Sequence, residues 1–126
     1  MATIRAYTTI EQSRKLAEFL PLESADMTYY ACVKDWRGNP VEPKWRKPAN
    51  LTKEELALPL SNFQEYEYVP CWSLASLLGV LPSATLDSSD DHHFRIHCME
   101  RYTEWYNNAV DACVAMIKRL HELKLL

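Results

Sequence analysis

The densest run of ligand-type side chains is Asp90-Asp91-His92-His93, followed closely by His97 and Cys98. Imidazole nitrogen, thiolate and carboxylate are the donors that zinc and related ions take. On an extended segment Asp91, His93 and His97 share a face. Their reach is the difficulty: same-face positions four residues apart lie roughly 13 Å apart along a strand, too far for one ion without a bend. No second cluster with ligand spacing supplies the missing donors. The reading is therefore a polar loop entering a strand, with no metal and no cofactor. Asp91, His93 and His97 remain the residues nearest to a ligand set.

Nucleophilic chemistry requires a serine or cysteine beside a base. Cys71 follows Pro70 and opens an apolar run, which places it near an expected helix N-terminus, where thiolates are stabilised. His92, His93, His97 and His121 are the available bases, and no spacing carries any of them to Cys71. A buried structural thiol beside Trp72 is the expectation. Ser24 and Asp26 have the types for acid–base work or phosphate contact, yet such residues more often satisfy backbone groups in a turn. Phosphate-cradling loops are excluded, because the only glycines are Gly38 and Gly79. No Gly-x-Ser-x-Gly, His-Glu-x-x-His or Walker pattern occurs.

Trp36, Arg37, Lys44, Trp45, Arg46 and Lys47 interleave rings with cations. That mixture suits single-stranded nucleic acid, through stacking plus charge. It equally suits a protein partner, for which Trp and Arg make the strongest anchors. The net charge of −3 weighs against the first, since phosphate-neutralising domains are basic overall. Locally, Lys34 to Lys53 holds six Lys/Arg against two Asp/Glu, and Glu54 to Pro70 holds four Glu and no base. The two stretches either attract each other in the fold or turn the basic one toward a partner. Two solvated surfaces are the ordinary outcome.

These side chains must be positioned by the elements around them. Thr8-Thr9-Ile10-Glu11 reads as a capping box with Thr8 as N-cap, and Ile10, Ser13, Leu16, Ala17 and Leu20 track one helical face up to Pro21. Thr28 to Lys34 is β-branched and aromatic enough for a strand, followed by the turn cluster Arg37-Gly38-Asn39-Pro40. Val41 to Arg46 reads as a return strand that Pro43 confines to an edge. Thr52 to Leu56 reads as one or two helical turns. Phe63 to Val69 alternates apolar residues with Gln or Glu, a strand with one wet face.

Residues 69 to 86 carry no charge, although a quarter of the chain is charged. Pro70 and Pro82 bracket eleven residues, too few for a membrane span of about twenty. The expectation is a helix from Cys71 to Leu81, apolar nearly all round and buried on most sides, with Trp72 and Leu78 in the core. Ser83 to Asp91 reads as a polar connector. Phe94, Ile96 and Cys98 then face one way on a strand, and Arg101 to Tyr106 follows as its partner. Asn107 or Asn108 caps a last helix reaching Lys124, with Val110, Cys113, Val114, Ile117 and Leu120 on its apolar face.

With 126 residues, 48% apolar and 25% charged, the chain is expected to form one domain, 1–126, with an adequate core. The order of elements predicts an α+β fold: a small antiparallel sheet of three to five strands packed against about three helices. Cys32, Cys71, Cys98 and Cys113 form no Cys-x-x-Cys, and buried free thiols in a reducing cytoplasm are expected, two disulfides being the alternative. Met1 to Thr9 has no apolar stretch, so no signal peptide is expected.

Four blocks carry a resemblance. They are Ala6-Tyr7-Thr8-Thr9-Ile10-Glu11-Gln12-Ser13 with Lys15 to Glu18; Leu20 to Met27; Val69-Pro70-Cys71-Trp72-Ser73-Leu74; and Asp111-Ala112-Cys113 through Met116-Ile117 to Leu120–Leu126. In these, roughly half its length, the chain resembles a family of small proteins from gut Bacteroidetes and their prophages or mobile elements. Asp35 to Glu67 matches nothing in that family. The family carries no assigned activity, so the resemblance implies a bacterial or phage cytoplasmic origin and nothing about catalysis.

Together these readings predict a non-enzymatic cytoplasmic accessory protein that binds a protein partner through Trp36, Arg37, Lys44, Trp45, Arg46 and Lys47. A nucleic-acid-associated regulator using the same segment is the alternative. A small enzyme using Ser24 and Asp26 or the histidine-rich strand is a further one.

Overall fold

The computed structural model describes residues 5–48 and 65–126. The helix expected at Thr52–Leu56 lies outside the described residues. Among the described residues the order is α1 (Ile10–Ala17), a 3-10 turn (Leu22–Ser24), β1 (Met27–Lys34), β2 (Glu65–Cys71), α2 (Leu74–Val80), β3 (Thr85–Ser88), β4 (Phe94–Cys98), β5 (Arg101–Tyr102) and α3 (Ala109–Glu122). This is the expected α+β fold, with the strands divided between two antiparallel sheets, β1-β2 and β3-β4-β5.

The core is built around α3. Val110, Ala112, Cys113, Val114, Met116, Ile117 and Leu120 are all buried, a wider stripe than one face of a heptad. Each fully buried aliphatic there contributes about 1.5–3 kcal/mol over an exposed position. Leu16 and Leu20 from the first helix and its exit, Trp72, Leu77 and Leu81, and Ile96 and Cys98 from β4 complete this cluster. Asn108 caps α3 through Oδ1, which accepts from the Val110 amide at 2.8 Å. At the other end the Lys124 amide donates to His121 O and the Leu125 amide to Leu120 O, closing the helix with Lys124 at φ +59°.

Capping of α1 is shifted by one residue from expectation. Thr9, not Thr8, is the N-cap: its Oγ1 accepts from the Gln12 amide, and Gln12 Oε1 accepts from the Thr9 amide. The reason is that Thr8 is taken inward. Its Oγ1 lies 2.7 Å from Ser13 Oγ and accepts from the Trp72 amide at 3.2 Å, while its own amide donates to Trp72 O at 2.9 Å. Tyr29 OH donates to Thr8 O at 2.6 Å. This buried network ties the chain before α1 to β1 and to the residue after β2. Upstream, Arg5 pairs with Asp111 on α3, Gln12 Nε2 donates to the same carboxylate, and Asn108 Nδ2 donates to Arg5 O.

The uncharged run is not one helix. Val69 to Cys71 complete β2, with Met27 opposite Cys71 and Tyr29 opposite Val69. Ser73 caps α2, so the helix begins three residues later than expected and is only seven residues long. Within α2 only Leu77 is fully buried; Leu74, Leu78 and Val80 pack partly and Ala75 and Gly79 face outward. Trp72 is at the core as expected, but Leu78 is half-buried. Ser83 to Asp91 also differs from the expected connector, because Thr85–Ser88 pairs with β4. Leu86 sits opposite Ile96 and Asp87 opposite Arg95.

β2 reverses the expected assignment of its faces. Glu65 and Glu67 are exposed, but their face runs on into buried Val69 and Cys71. Tyr66 and Tyr68 point to the other side with Tyr30, opposite Tyr68, and Cys32, opposite Tyr66. The outer face of β1-β2 is thus tyrosine-rich and half-buried.

Met99 and Glu100 form the two-residue turn between β4 and β5, both at positive φ (51° and 63°). That conformation favours Asn-Gly and costs an L-residue about 1–2 kcal/mol. Glu100→Gly is expected to raise stability by about 0.5–1 kcal/mol, the relief being offset in part by the glycine's unfolded-state entropy. A urea midpoint unchanged or lowered by the substitution counts against this account of the turn.

Candidate functional site

The six aromatic and basic residues of the return segment follow β1. Asp35 fixes the first of them. Its Oδ1 accepts from the Arg37 and Asn39 amides, both at 2.9 Å, and its backbone exchanges bonds with Gly38 and Asn39. Gly38 supplies the positive φ of 79° that the turn needs. The clamped tip presents Trp36, which is 60% exposed, with the Arg37 guanidinium 4.6 Å above its ring.

The return segment is not a regular strand. Pro40 bridges Lys34, the Val41 amide donates to Val33 O, and the Arg46 amide donates to Tyr30 O. Between those points the segment stands off from β1, as Pro43 with no amide hydrogen requires. Trp45 turns inward, half-buried against the cluster of Tyr29, Val69 and Cys71, with Arg14 5.5 Å from its ring. It is an anchor for the segment rather than a free contact. Lys44, Arg46 and Lys47 remain exposed beside it.

Standing off leaves a cleft of about 540 Å³, within the range of ligand sites. Tyr30, Cys32 and Tyr66 line it from the sheet, and Val41, Lys44 and Arg46 from the return segment. Glu42 is the one carboxylate among the described lining residues. Among the described residues the opposed charge blocks meet at one pair, with Lys34 Nζ 3.1 Å from Glu65, whereas Glu67 pairs with Arg14 of α1 at 3.6 Å. Arg37, Lys44, Arg46 and Lys47 make no ion pair among the described residues. The tyrosines were missed in the sequence because Glu-Tyr-Glu-Tyr reads as aromatic-in and glutamate-out. Val69 and Cys71, two and four residues past Glu67, are the signal that the glutamates share the core face.

The other candidates are structural in their placement. Asp26 accepts from both the amide and the hydroxyl of Ser73, so it secures the start of α2. Burial alone pushes its carboxyl up; the Ser73 hydroxyl and amide, then Ser76, outweigh this and hold it below the ordinary 3.8. A depressed folded-state pKa gives stability that is present above the unfolded value and lost as pH falls through the folded one. Asp26→Ala is therefore expected to cost about 1 kcal/mol at pH 7, the order of a hydrogen bond lost at an exposed site. The gap from wild type should narrow as pH falls below 3.8; a cost that stays constant down to acid unfolding refutes the role of an ionised Asp26 here. Ser24 Oγ donates to Pro21 O at 2.6 Å and accepts from Trp72 Nε1 at 2.9 Å, which leaves it a support for the core.

Cys71 ends a strand instead of opening a helix. Burial pushes its thiol up, against weaker opposing bonds from Thr8 and Ser13. Cys113 is pushed up to about 12 by burial alone. All four cysteines are free. Asp91 lies in the exposed turn before β4, His93 precedes the strand, and His97 stacks on Tyr102 with ring centroids 4.3 Å apart. Among the described residues no group of three or more His, Cys, Asp or Glu is placed to hold a metal ion. On the same outer face Arg95 lies over Tyr102 (4.5 Å) and Trp105 (4.6 Å) while pairing with Asp87 at 3.1 Å, so its cation already has partners.

No family model, curated protein or solved structure matches this chain. Among the described residues no helix is long and apolar enough to cross a membrane.

Proposed function

We propose that this is a non-enzymatic accessory protein that binds a protein partner through the tip and return segment after β1. The observation carrying the reading is Trp36, a large ring held 60% exposed on a turn clamped by Asp35, with Arg37 stacked over it. Exposed tryptophan and arginine on a rigid support are the residue types that dominate binding energy at protein interfaces. Four free cysteines support a reducing compartment, and we place the protein in the cytoplasm. The resembling blocks support a bacterial or phage origin. The net charge of −3 argues against general binding to nucleic acid.

The test is photo-cross-linking in bacterial cells, with a benzophenone amino acid at position 36 and, as control, at the remote exposed position Glu122. A discrete cross-linked protein is expected from position 36 alone. In purified form, Trp36→Ala should weaken that complex tenfold or more with no change in the melting midpoint. Equal products from both positions, or none from position 36, would retire the reading.

A further inference from the structure

Resting on that reading, we infer that the partner presents an acidic, extended peptide segment, and that it seats in the cleft between β1 and the return segment. Three independent features converge there. The first is charge. Lys44 and Arg46 line the cleft, and neither is neutralised by an ion pair among the described residues. Among the described residues unpaired cations also occur on α1, β5 and α3, but only in the return segment do two of them line a cleft against tyrosines. Glu42 offsets one of the two positive charges lining the cleft, which leaves the lining net positive. A carboxylate-bearing partner supplies what the segment lacks, and close complementary charges speed encounter as well as fix register.

The second is shape. The cleft is floored by the outer face of a two-stranded sheet and walled by a chain whose amides bond the sheet at either end of it, Val41 to Val33 and Arg46 to Tyr30. Such a slot runs along the strand direction and suits an extended chain. The third is donor chemistry. Tyr30 brings a phenol group to the floor, able to donate to a carboxylate, and its ring together with that of Tyr66 gives aliphatic side chains a surface to lie on. Trp45, packed against Tyr29, Val69 and Cys71, holds the wall in place, so the site needs little reorganisation.

The probe is a seven-residue peptide alternating glutamate with valine, capped at both ends, and its counterpart with lysine for glutamate. The full chain, labelled with nitrogen-15, is titrated with each at low salt and again at 0.3 M salt. Amide shifts at Tyr30, Cys32, Val41 and Tyr66 are expected with the glutamate peptide only, weakening steeply with salt. Lys44→Glu/Arg46→Glu should weaken binding at least tenfold. Absence of shifts in the cleft, equal binding of the lysine peptide, or stronger binding of a thymidine oligonucleotide overturns the inference. The same double variant is then used in the position-36 cross-linking assay. A cross-link that survives it leaves the partner reading intact and removes the acidic segment. A cross-link missing from the unaltered protein removes the partner reading itself, whatever the peptide does.

Discussion

Trp72→Ala is expected to cost about 3–5 kcal/mol, the cost of emptying a fully buried tryptophan site. With total stabilities of about 5–15 kcal/mol, that leaves the variant at or near the edge of folding. Trp72 is completely buried and joins the first core cluster, where Leu16, Ile117 and their neighbours meet. Its polar atoms are all engaged. Nε1 donates to Ser24 Oγ, the amide to Thr8 Oγ1, and the carbonyl accepts from the Thr8 amide. Trp72→Phe separates the contributions: it keeps a ring and removes the indole donor, and a loss of about 1–2 kcal/mol is expected. Urea denaturation followed by far-UV circular dichroism measures both. Trp36 and Trp105 are exposed and Trp45 is half-buried, so the blue edge of tryptophan emission should also vanish in Trp72→Phe. A Trp72→Ala variant within 1 kcal/mol of wild type would contradict the placement of this residue at the centre of the fold.

Thr8→Val should lower stability by about 2–3 kcal/mol, although the side chain keeps its shape. The hydroxyl serves two buried groups, the Trp72 amide and the Ser13 hydroxyl, and stranding a buried donor costs about 1–3 kcal/mol. Thr8→Ser retains the oxygen and is expected to cost about 1 kcal/mol for the lost methyl. The Thr8→Val/Ser13→Ala pair should be clearly less damaging than the sum of its parts, because each substitution removes the same bond. Strict additivity in that cycle would show that the two hydroxyls do not cooperate.

How far the sequence could be read depended on whether a residue's fate was local. The first and last helices and β1 follow from their own periodicity, since α1 and α3 bury stripes that their spacing already marks. The cap of α1 was ambiguous because Thr8-Thr9 and Glu11-Gln12 offer two overlapping boxes, and a distant residue, Trp72, decided between them. The boundary from β2 to α2 was hidden in an uncharged run, where Pro70 suits an edge strand as well as a helix start. β3 was hidden among serines. It pairs through Leu86 opposite Ile96 and the ion pair Asp87–Arg95, neither of which is visible without β4 beside it. At the candidate site the basic residues and Trp36 were legible as types. Nothing local separates an outward Trp36 from an inward Trp45, nor reveals that Tyr30 and Tyr66 share a face.

Arg5 reaches Asp111 across 106 residues of sequence, and Asn108 returns the contact across 103. The segment from Ala6 to Thr8 meanwhile depends on Trp72 to Leu74 for its backbone partners. The polypeptide is thus sewn shut late: these bonds wait until α3 and β2 have been placed, and closing so long a loop is slow before it is rewarded. Force applied at Arg5 would load its bonds to Asp111 and Asn108 before any helix, so the two ends of the described chain hold each other in place.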